Sequence, residues 1–322
     1  MTIDVHGHVT PPELLKRFPM PASLGDVEGM IARKAAAGID LTIVGSPVGV
    51  GTMVPMPGLD NYDQPADRIE SFHEWLGETV RAHPGHLRAY AYVNPYAEDD
   101  HLTRVAKRLQ QEEFVGLIVN TSVRGRYLNA PEAEGVFALA AETGCPILLH
   151  PPAEPVGSPA LNGHLGMIEH VARPCDITTG VAAILFAGWL TKYPQLKLIA
   201  PNAGGALALL REKLDLAWHR TAGPPSGPPS GRPSAGPPSP IAEQLRRVRV
   251  DTATPSRLAL AAALEVFGPG GLLFGTDSPP QAAPVEQALD LVDSVARDEQ
   301  ERRRIREGNA RELFGLTGTE GT

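Results

Sequence analysis

Short apolar runs, several rich in β-branched residues, alternate along this chain with stretches whose apolar residues recur at helical spacing. The runs at 2–5, 41–44, 87–93, 115–119, 146–149, 196–200, 248–251 and 271–274 read as strands. Between and after them, periodicity predicts helices over 13–18, 26–37, 67–82, 100–112, 131–143, 161–171, 181–193, 206–220, 255–267, 285–297 and 299–307, with 309–314 continuing or capping the last. In 67–82, Ile69, Phe72, Leu76 and Val80 share one side, and 100–112 repeats the pattern with Leu102, Val105, Ala106 and Leu109. Gly144 is placed as the C-cap of the helix before it.

Each strand is followed by a crossover long enough for parallel pairing, so the expected fold class is α/β, as a (β/α)8 TIM barrel. An open doubly wound sheet is the alternative, but no G-x-G-x-x-G follows a strand to support dinucleotide binding. The whole chain, 1–322, reads as one barrel domain. Residues 223–240 are almost entirely Pro, Gly, Ser and Ala. With no apolar side chains to bury, they are expected to form a mobile surface excursion, a polyproline recognition motif being the lesser reading. The Gly-, Pro- and Met-rich loop at 49–65 is either a pocket wall or an ordinary strand-to-helix connection.

Composition narrows the function. The 322 residues are 42% hydrophobic and 20% charged, ample for one large core. A net charge of −8, with Lys and Arg interspersed among acids, leaves no basic stripe for nucleic acid. No apolar run is long enough to span a bilayer and no charged start precedes a signal-like stretch, so no membrane is expected and a reducing cytoplasm is. Cys145 and Cys175 make neither a disulfide framework nor a thiolate cluster. Cys145, before an apolar run, reads as a small buried residue.

The candidate chemistry begins at I-D-V-H-G-H, residues 3–8. On a strand, His6 and His8 point the same way, and Gly7 lets the backbone pass close to whatever sits between them. Two converging imidazoles make a metal half-site. His150 ends the fifth strand and Asp277 follows the eighth. In a barrel the C-terminal strand ends meet at one mouth, which makes the four residues a coherent ligand set.

These motifs resemble the amidohydrolase superfamily, in its amidohydrolase-2 branch, which includes aminocarboxymuconate semialdehyde decarboxylase and the hydroxybenzoate decarboxylases. The resemblance is carried by D-V-H-G-H at 4–8, G-L-I-V-N at 116–120, G-R-Y-L at 125–128, L-L-H-P at 148–151, G-W-L-T-K-Y-P-Q-L-K-L at 188–198, N-A-G-G-A at 202–206 and L-L-F-G-T-D-S-P at 272–279. It covers the chain apart from the Pro/Gly insertion. It implies one divalent ion held by His6, His8, His150 and Asp277, zinc first and manganese second, and a homodimer. Asp176 matches a D-T-T segment that often opens a helix, so it is expected as an N-cap, with Thr178 and Thr179 beside it.

One position departs from the pattern. Relatives carry a histidine before the glycine pair, where this chain has Asn202. Asparagine exchanges hydrogen bonds but does not shuttle a proton near neutral pH. His164, after strand five, is the leading candidate to compensate; His170 and His73 are weaker, with His170 expected to be structural. Catalysis is therefore expected from Asp277, Asn202 and His164. The leading function is non-oxidative decarboxylation of a small aromatic or enol-like carboxylic acid, with Asp277 delivering the proton. Arg124 and Arg126 are placed either at the substrate anion or in solvent. Metal-dependent hydrolysis or hydration of a lactone, amide or enol acid is the alternative, and a non-catalytic binding barrel the third reading.

Overall fold

The computed structural model describes residues 1–96, 98–221, 240–280 and 284–316, so the excursion expected at 223–240 lies outside the described residues apart from Pro240. Parallel strands follow chain order around one eight-stranded sheet. They are β1 (Ile3–His8), β2 (Leu41–Gly45), β3 (Leu87–Tyr92), β4 (Phe114–Asn120), β5 (Ile147–His150), β6 (Leu198–Ala200), β7 (Val248–Asp251) and β8 (Leu272–Leu273). The Val5 N–H donates to Phe274 O at 2.9 Å, joining β1 to the segment that leaves β8. The main helix after each strand is, in order, α1 (Val27–Ala36), α2 (Ala66–Ala82), α3 (Asp99–Arg108), α4 (Glu134–Thr143), α5 (Arg173–Ala187), α6 (Leu207–Thr221), α7 (Arg257–Phe267) and α8 (Val285–Val295). This is the (β/α)8 barrel expected from the alternating runs.

The strands read as near-continuous apolar runs because helices cover one face and the barrel interior the other. Every residue of β1, β2 and β5 is buried. α2 turns Ile69, Phe72, Leu76 and Val80 inward, as its spacing predicts. Gly144 does cap α4, at φ 68°.

Three local features differ from the sequence reading. The helices expected at 161–171 and 181–193 are redistributed. A helical run extends from Leu165 through a π turn at Ile168–Ala172 into α5, and a separate short helix spans Trp189–Lys192. Pro174 sits in the first turn of α5, where the widened turn before it already interrupts the regular hydrogen-bond ladder, so proline ends nothing. A two-stranded hairpin, Ser122–Val123 with Arg126–Tyr127, also follows β4. Its central residues Arg124 and Gly125 both have positive φ, the requirement of a tight type I′ turn.

The third difference concerns Gly7. The β1–β2 register slips by one residue between Asp4 and Gly7, a bulge of the kind found beside active sites. A Cβ on Gly7 would lie 2.4 Å from Thr42 Cγ2 and 3.3 Å from Lys34 Nζ. The close approach that requires glycine is therefore to β2 and α1, not to the space between the two histidines.

Candidate metal centre

Four of the expected residues meet at the C-terminal mouth of the barrel. One ligand atom from each of His6, His8, His150 and Asp277 lies within 4.8 Å of all the others. The three imidazole rings stand nearly perpendicular, with centroids 5.0, 5.3 and 5.1 Å apart. Asp277 Oδ1 is 2.9 Å from His8 Nε2 and 3.4 Å from His6 Nε2. Asp277 adopts φ 55°, a conformation that non-glycine residues take chiefly at turns and functional sites.

The outer nitrogen of each ring decides what the inner one offers. His6 Nδ1 is 2.6 Å from Asp251 Oδ2, His8 Nδ1 is 3.1 Å from Gly45 O, and His150 Nδ1 is 2.8 Å from Pro151 O. A carbonyl or carboxylate oxygen accepts, so each Nδ1 carries the proton. In the neutral ring each Nε2 then presents a lone pair. With a cation in place of the second His6 proton, three lone pairs and a carboxylate converge among largely buried side chains. This donor set suits one divalent cation and pins ring orientation by outer hydrogen bonds, as metal-binding histidines require.

The electrostatics follow from this crowding. Burial opposes charge on His6, but the Asp277 and Asp251 carboxylates outweigh it and push its pKa up to about 9. Burial, reinforced by His8 and His6, holds His150 well below its ordinary value. Burial also opposes ionisation of Asp277, yet His6, His8 and His150 together hold its carboxyl far below the usual range.

Behind the cluster lies a second layer that sequence reasoning missed. Asp251, at the end of β7, also accepts from the Asn202 and Ala253 backbone N–H groups at 2.8 and 3.0 Å. A Cβ on Gly275 would lie 2.9 Å from Asp251 Cβ and 3.1 Å from His6 Cβ, so glycine there permits the His6–Asp251 contact. Asp4 accepts from Lys34 Nζ at 2.6 Å, from Thr276 Oγ1 at 2.6 Å and from the Thr276 and His6 N–H groups. Strand alternation in D-V-H-G-H does not mark Asp4, because the register slip between Asp4 and Gly7 turns Asp4 to the face of Thr42, Val44 and Lys34, opposite His8.

The other candidates fall elsewhere. Asn202, at φ 54°, follows β6, and its side-chain amide makes no hydrogen bond among the described residues. His164 is exposed, at the N-cap of the helical run after β5, and is not one of the four clustered residues. His170 is exposed, while His73 is buried in α2 and accepts at Nε2 from the Tyr92 N–H. Asp176 is not an N-cap. It sits inside α5, buried, and accepts from Thr121 Oγ1 at 2.5 Å, Ser122 Oγ at 3.0 Å and the Val156 N–H at 2.8 Å. Because the helix begins before it, its carboxylate is free to tie two mouth loops together, and burial raises its pKa. Arg124 pairs with Asp60, and Arg126 pairs with Glu132 while lying over the Tyr96 ring. Cys145 is half-buried, with its thiol pushed up by burial.

Comparison with known proteins agrees with this architecture. A family model described as "Amidohydrolase" matches residues 3–316. The structure resembles 5-carboxyvanillate decarboxylase from Sphingomonas paucimobilis, with a TM-score of 0.81 at 20% identity, covering 98% of this chain and 99% of that one. It also resembles a dihydroxybenzoic acid decarboxylase from Polaromonas sp. JS666, solved with manganese and the inhibitor 2-nitroresorcinol. That match has a TM-score of 0.77 at 20% identity and covers 99% and 98% of the two chains. A third, 5-carboxyvanillate decarboxylase from Novosphingobium aromaticivorans with manganese and 4-hydroxy-3-methoxy-5-nitrobenzoic acid, gives 0.73 at 18% identity over 98% and 96%. At these identities the likeness is one of fold. Among the described residues, no helix is long and apolar enough to cross a membrane.

Proposed function

This chain belongs to the amidohydrolase family, and from that premise we propose that it is a metal-dependent, non-oxidative decarboxylase of a small aromatic or enol-like carboxylic acid. The observation that carries the reading is the cluster in which three Nδ1–H groups are held from outside, leaving three Nε2 atoms and the Asp277 carboxylate facing one point. His6, His8, His150 and Asp277 would hold one divalent ion. Three imidazoles with a carboxylate suit zinc or manganese, and manganese occupies two of the structurally similar decarboxylases. Bound there, the ion supplies Lewis-acid attraction for the substrate carboxylate and an adjacent oxygen.

Asp277 then moves the proton. Its depressed pKa keeps it ionised at rest, so the proton it delivers arrives with the substrate or from solvent. Transfer to the carbon bearing the carboxylate creates a dearomatised or keto intermediate. Cleavage of the C–CO2 bond returns the electron pair to the ring, and the delivered proton stays on the product. Asn202 orients the substrate through its amide, and its backbone is held in place by Asp251. His164, on the segment following β5, acts at the entrance rather than at the ion.

Asn202 also favours a second reading, because decarboxylation there lacks a side chain that shuttles protons. In metal-dependent hydrolysis or hydration, Asp277 would take a proton from the attacking water and Asn202 would orient a carbonyl. The test is the metal-loaded protein in 18O-water, with 2,6-dihydroxybenzoate and 5-carboxyvanillate as the acids and, in parallel, a small aryl lactone and an aryl amide as hydrolysable compounds. Carbon dioxide release without label in the organic product supports decarboxylation. Labelled product without carbon dioxide supports hydrolysis, and neither supports the binding module.

A homodimer is proposed as the assembly. Val156, Leu165, Met167 and Val171 leave 40–47% of their surfaces exposed on one segment, and sedimentation reports whether a second copy covers them. Free thiols at Cys145 and Cys175 suit the reducing cytoplasm proposed for the protein.

A further inference from the structure

The three imidazoles of the cluster are not equally supported from outside. Asp251, the partner of His6, ends β7, and Gly45, the partner of His8, ends β2. The acceptor for His150 Nδ1 is Pro151 O, on the loop that leaves β5. An acceptor beyond the strand ladder orients a ring only as firmly as its own loop is held.

One side chain holds that loop. Asp176, inside α5 and 1% exposed, accepts from the Val156 N–H at 2.8 Å. From Pro151 to Val156 the chain reads P-P-A-E-P-V, with three prolines in six residues. Their fixed φ leaves the segment little freedom, so an anchor at Val156 is felt at Pro151. The same carboxylate accepts from Thr121 Oγ1 at 2.5 Å, and the Thr121 N–H donates to His150 O at 2.9 Å. Asp176 therefore grips the chain on both sides of His150, at its carbonyl through Thr121 and at its ring acceptor through Val156.

The third donor to Asp176, Ser122 Oγ at 3.0 Å, makes no hydrogen bond to His150 or to the 151–156 loop among the described residues. The helix is shaped for this contact. A Cβ on Gly180, one turn beyond Asp176, would lie 2.7 Å from Thr121 Cβ and 3.1 Å from Thr121 O. Glycine there lets α5 close onto the strand end.

We propose that Asp176 is a positioning residue for His150, setting the direction of its ring from outside the cluster. The inference rests on reading the cluster as a metal centre, and it applies whichever reaction that centre performs.

The test uses the full chain loaded with cobalt(II), whose visible spectrum reports ligand geometry, with affinity measured by chelator competition. Asp176→Asn keeps one acceptor oxygen for three donors, and should weaken cobalt binding by about tenfold or more and alter the spectrum. Thr121→Val keeps the shape without the hydroxyl, and should move both readouts in the same direction by less. Ser122→Ala removes a hydrogen bond to the same carboxylate without touching His150. It should lower stability yet leave cobalt affinity within about twofold of wild type and the spectrum unchanged. Should Asp176→Asn fail to fold, the contrast between Thr121→Val and Ser122→Ala carries the test. Cobalt binding by Thr121→Val equal to wild type overturns the assignment, as does a Ser122→Ala loss as large as that of Thr121→Val. A wild type that takes up no cobalt overturns the metal reading instead, and nitrogen NMR of the metal-free protein then decides for Asp176 alone. A His150 ring protonated at Nδ1 in the wild type and mixed in tautomer in Thr121→Val supports the assignment, and the same tautomer in both overturns it.

Discussion

Asp251 Oδ2 lies 2.6 Å from His6 Nδ1, with both side chains fully shielded from solvent. The contact links β7 to β1 and fixes which nitrogen of His6 faces the cluster. Outer partners of this kind raise the basicity of a metal-binding imidazole and hold its plane. Asp251→Asn should therefore weaken metal affinity by about 10- to 100-fold without unfolding the barrel. Competition with a chromophoric chelator measures it, and an affinity equal to wild type refutes the role.

Direct ligands should behave more severely. Protein purified without added metal or chelator is expected to carry about one zinc or manganese per chain. His8→Ala and Asp277→Ala should lose it, whereas His164→Ala should keep it, its ring being exposed and outside the cluster. Elemental analysis decides. A wild-type site that stays empty after metal is supplied would sink the metal-dependent mechanism.

Asn202 offers a gain-of-function test. Its backbone N–H is held by Asp251, so a side-chain change leaves the loop anchored. Asn202→His introduces a group that titrates near neutral pH. If proton transfer limits turnover, the rate of carbon dioxide release should rise by about tenfold or more and acquire a new pH limb. A pH profile superimposable on wild type would show that no proton passes that position.

Much of this site was legible in the sequence because a barrel converts strand ends into neighbours. His6, His8, His150 and Asp277 each sit at or just beyond such an end, so a count of apolar runs sufficed to bring them together. Asp251 was also at a strand end, but one carboxylate there has no periodic partner, and its role depends on a 2.6 Å contact that only the closed ring creates. Asp176 was misplaced for a local reason. A D-T-T sequence looks like a helix start, and nothing in composition reveals that a π turn lets the helix begin earlier and run through Pro174. Lys34 lay on the predicted amphipathic helix at 26–37, where a lysine reads as solvated surface until the bulge in β1 is known to open a path to Asp4.

The outer shell carries its own pH signature. Contact with His73, whose Nδ1 is 3.8 Å away, and pairing with Arg108 at 3.2 Å lower the Glu70 pKa from an ordinary 4.5 to about 2, although partial burial works against them. A depressed carboxyl pKa stabilises the fold above the unfolded-state value and ceases to do so as pH falls through the folded one. The melting-temperature advantage of wild type over Glu70→Gln should thus be complete above about pH 5 and vanish towards pH 2. Added salt should shrink it, because the pair is partly solvated. An advantage independent of pH across that window would rule the linkage out.

Lys34 and Asp4 form the buried ion pair most closely tied to the site. Their side chains are 3% and 0% exposed, and Nζ lies 2.6 Å from Asp4 Oδ2. Breaking such a pair by removing one partner strands a buried charge, which destabilises by about 3–5 kcal/mol. Lys34→Met should show that loss in urea unfolding. It should also disturb the metal centre, because Asp4 holds both the N–H and the hydroxyl of Thr276, the residue before Asp277. Removing the second charge separates the two effects. Asp4→Asn added to Lys34→Met should recover part of the stability, since no carboxylate is then left unpaired, yet metal affinity should stay low because an amide cannot accept at both positions that Thr276 occupies. Full recovery of both properties in the double variant would show that the pair serves folding alone. A Lys34→Met loss below about 1 kcal/mol would show that solvent reaches Asp4 and that the pair is not buried in solution.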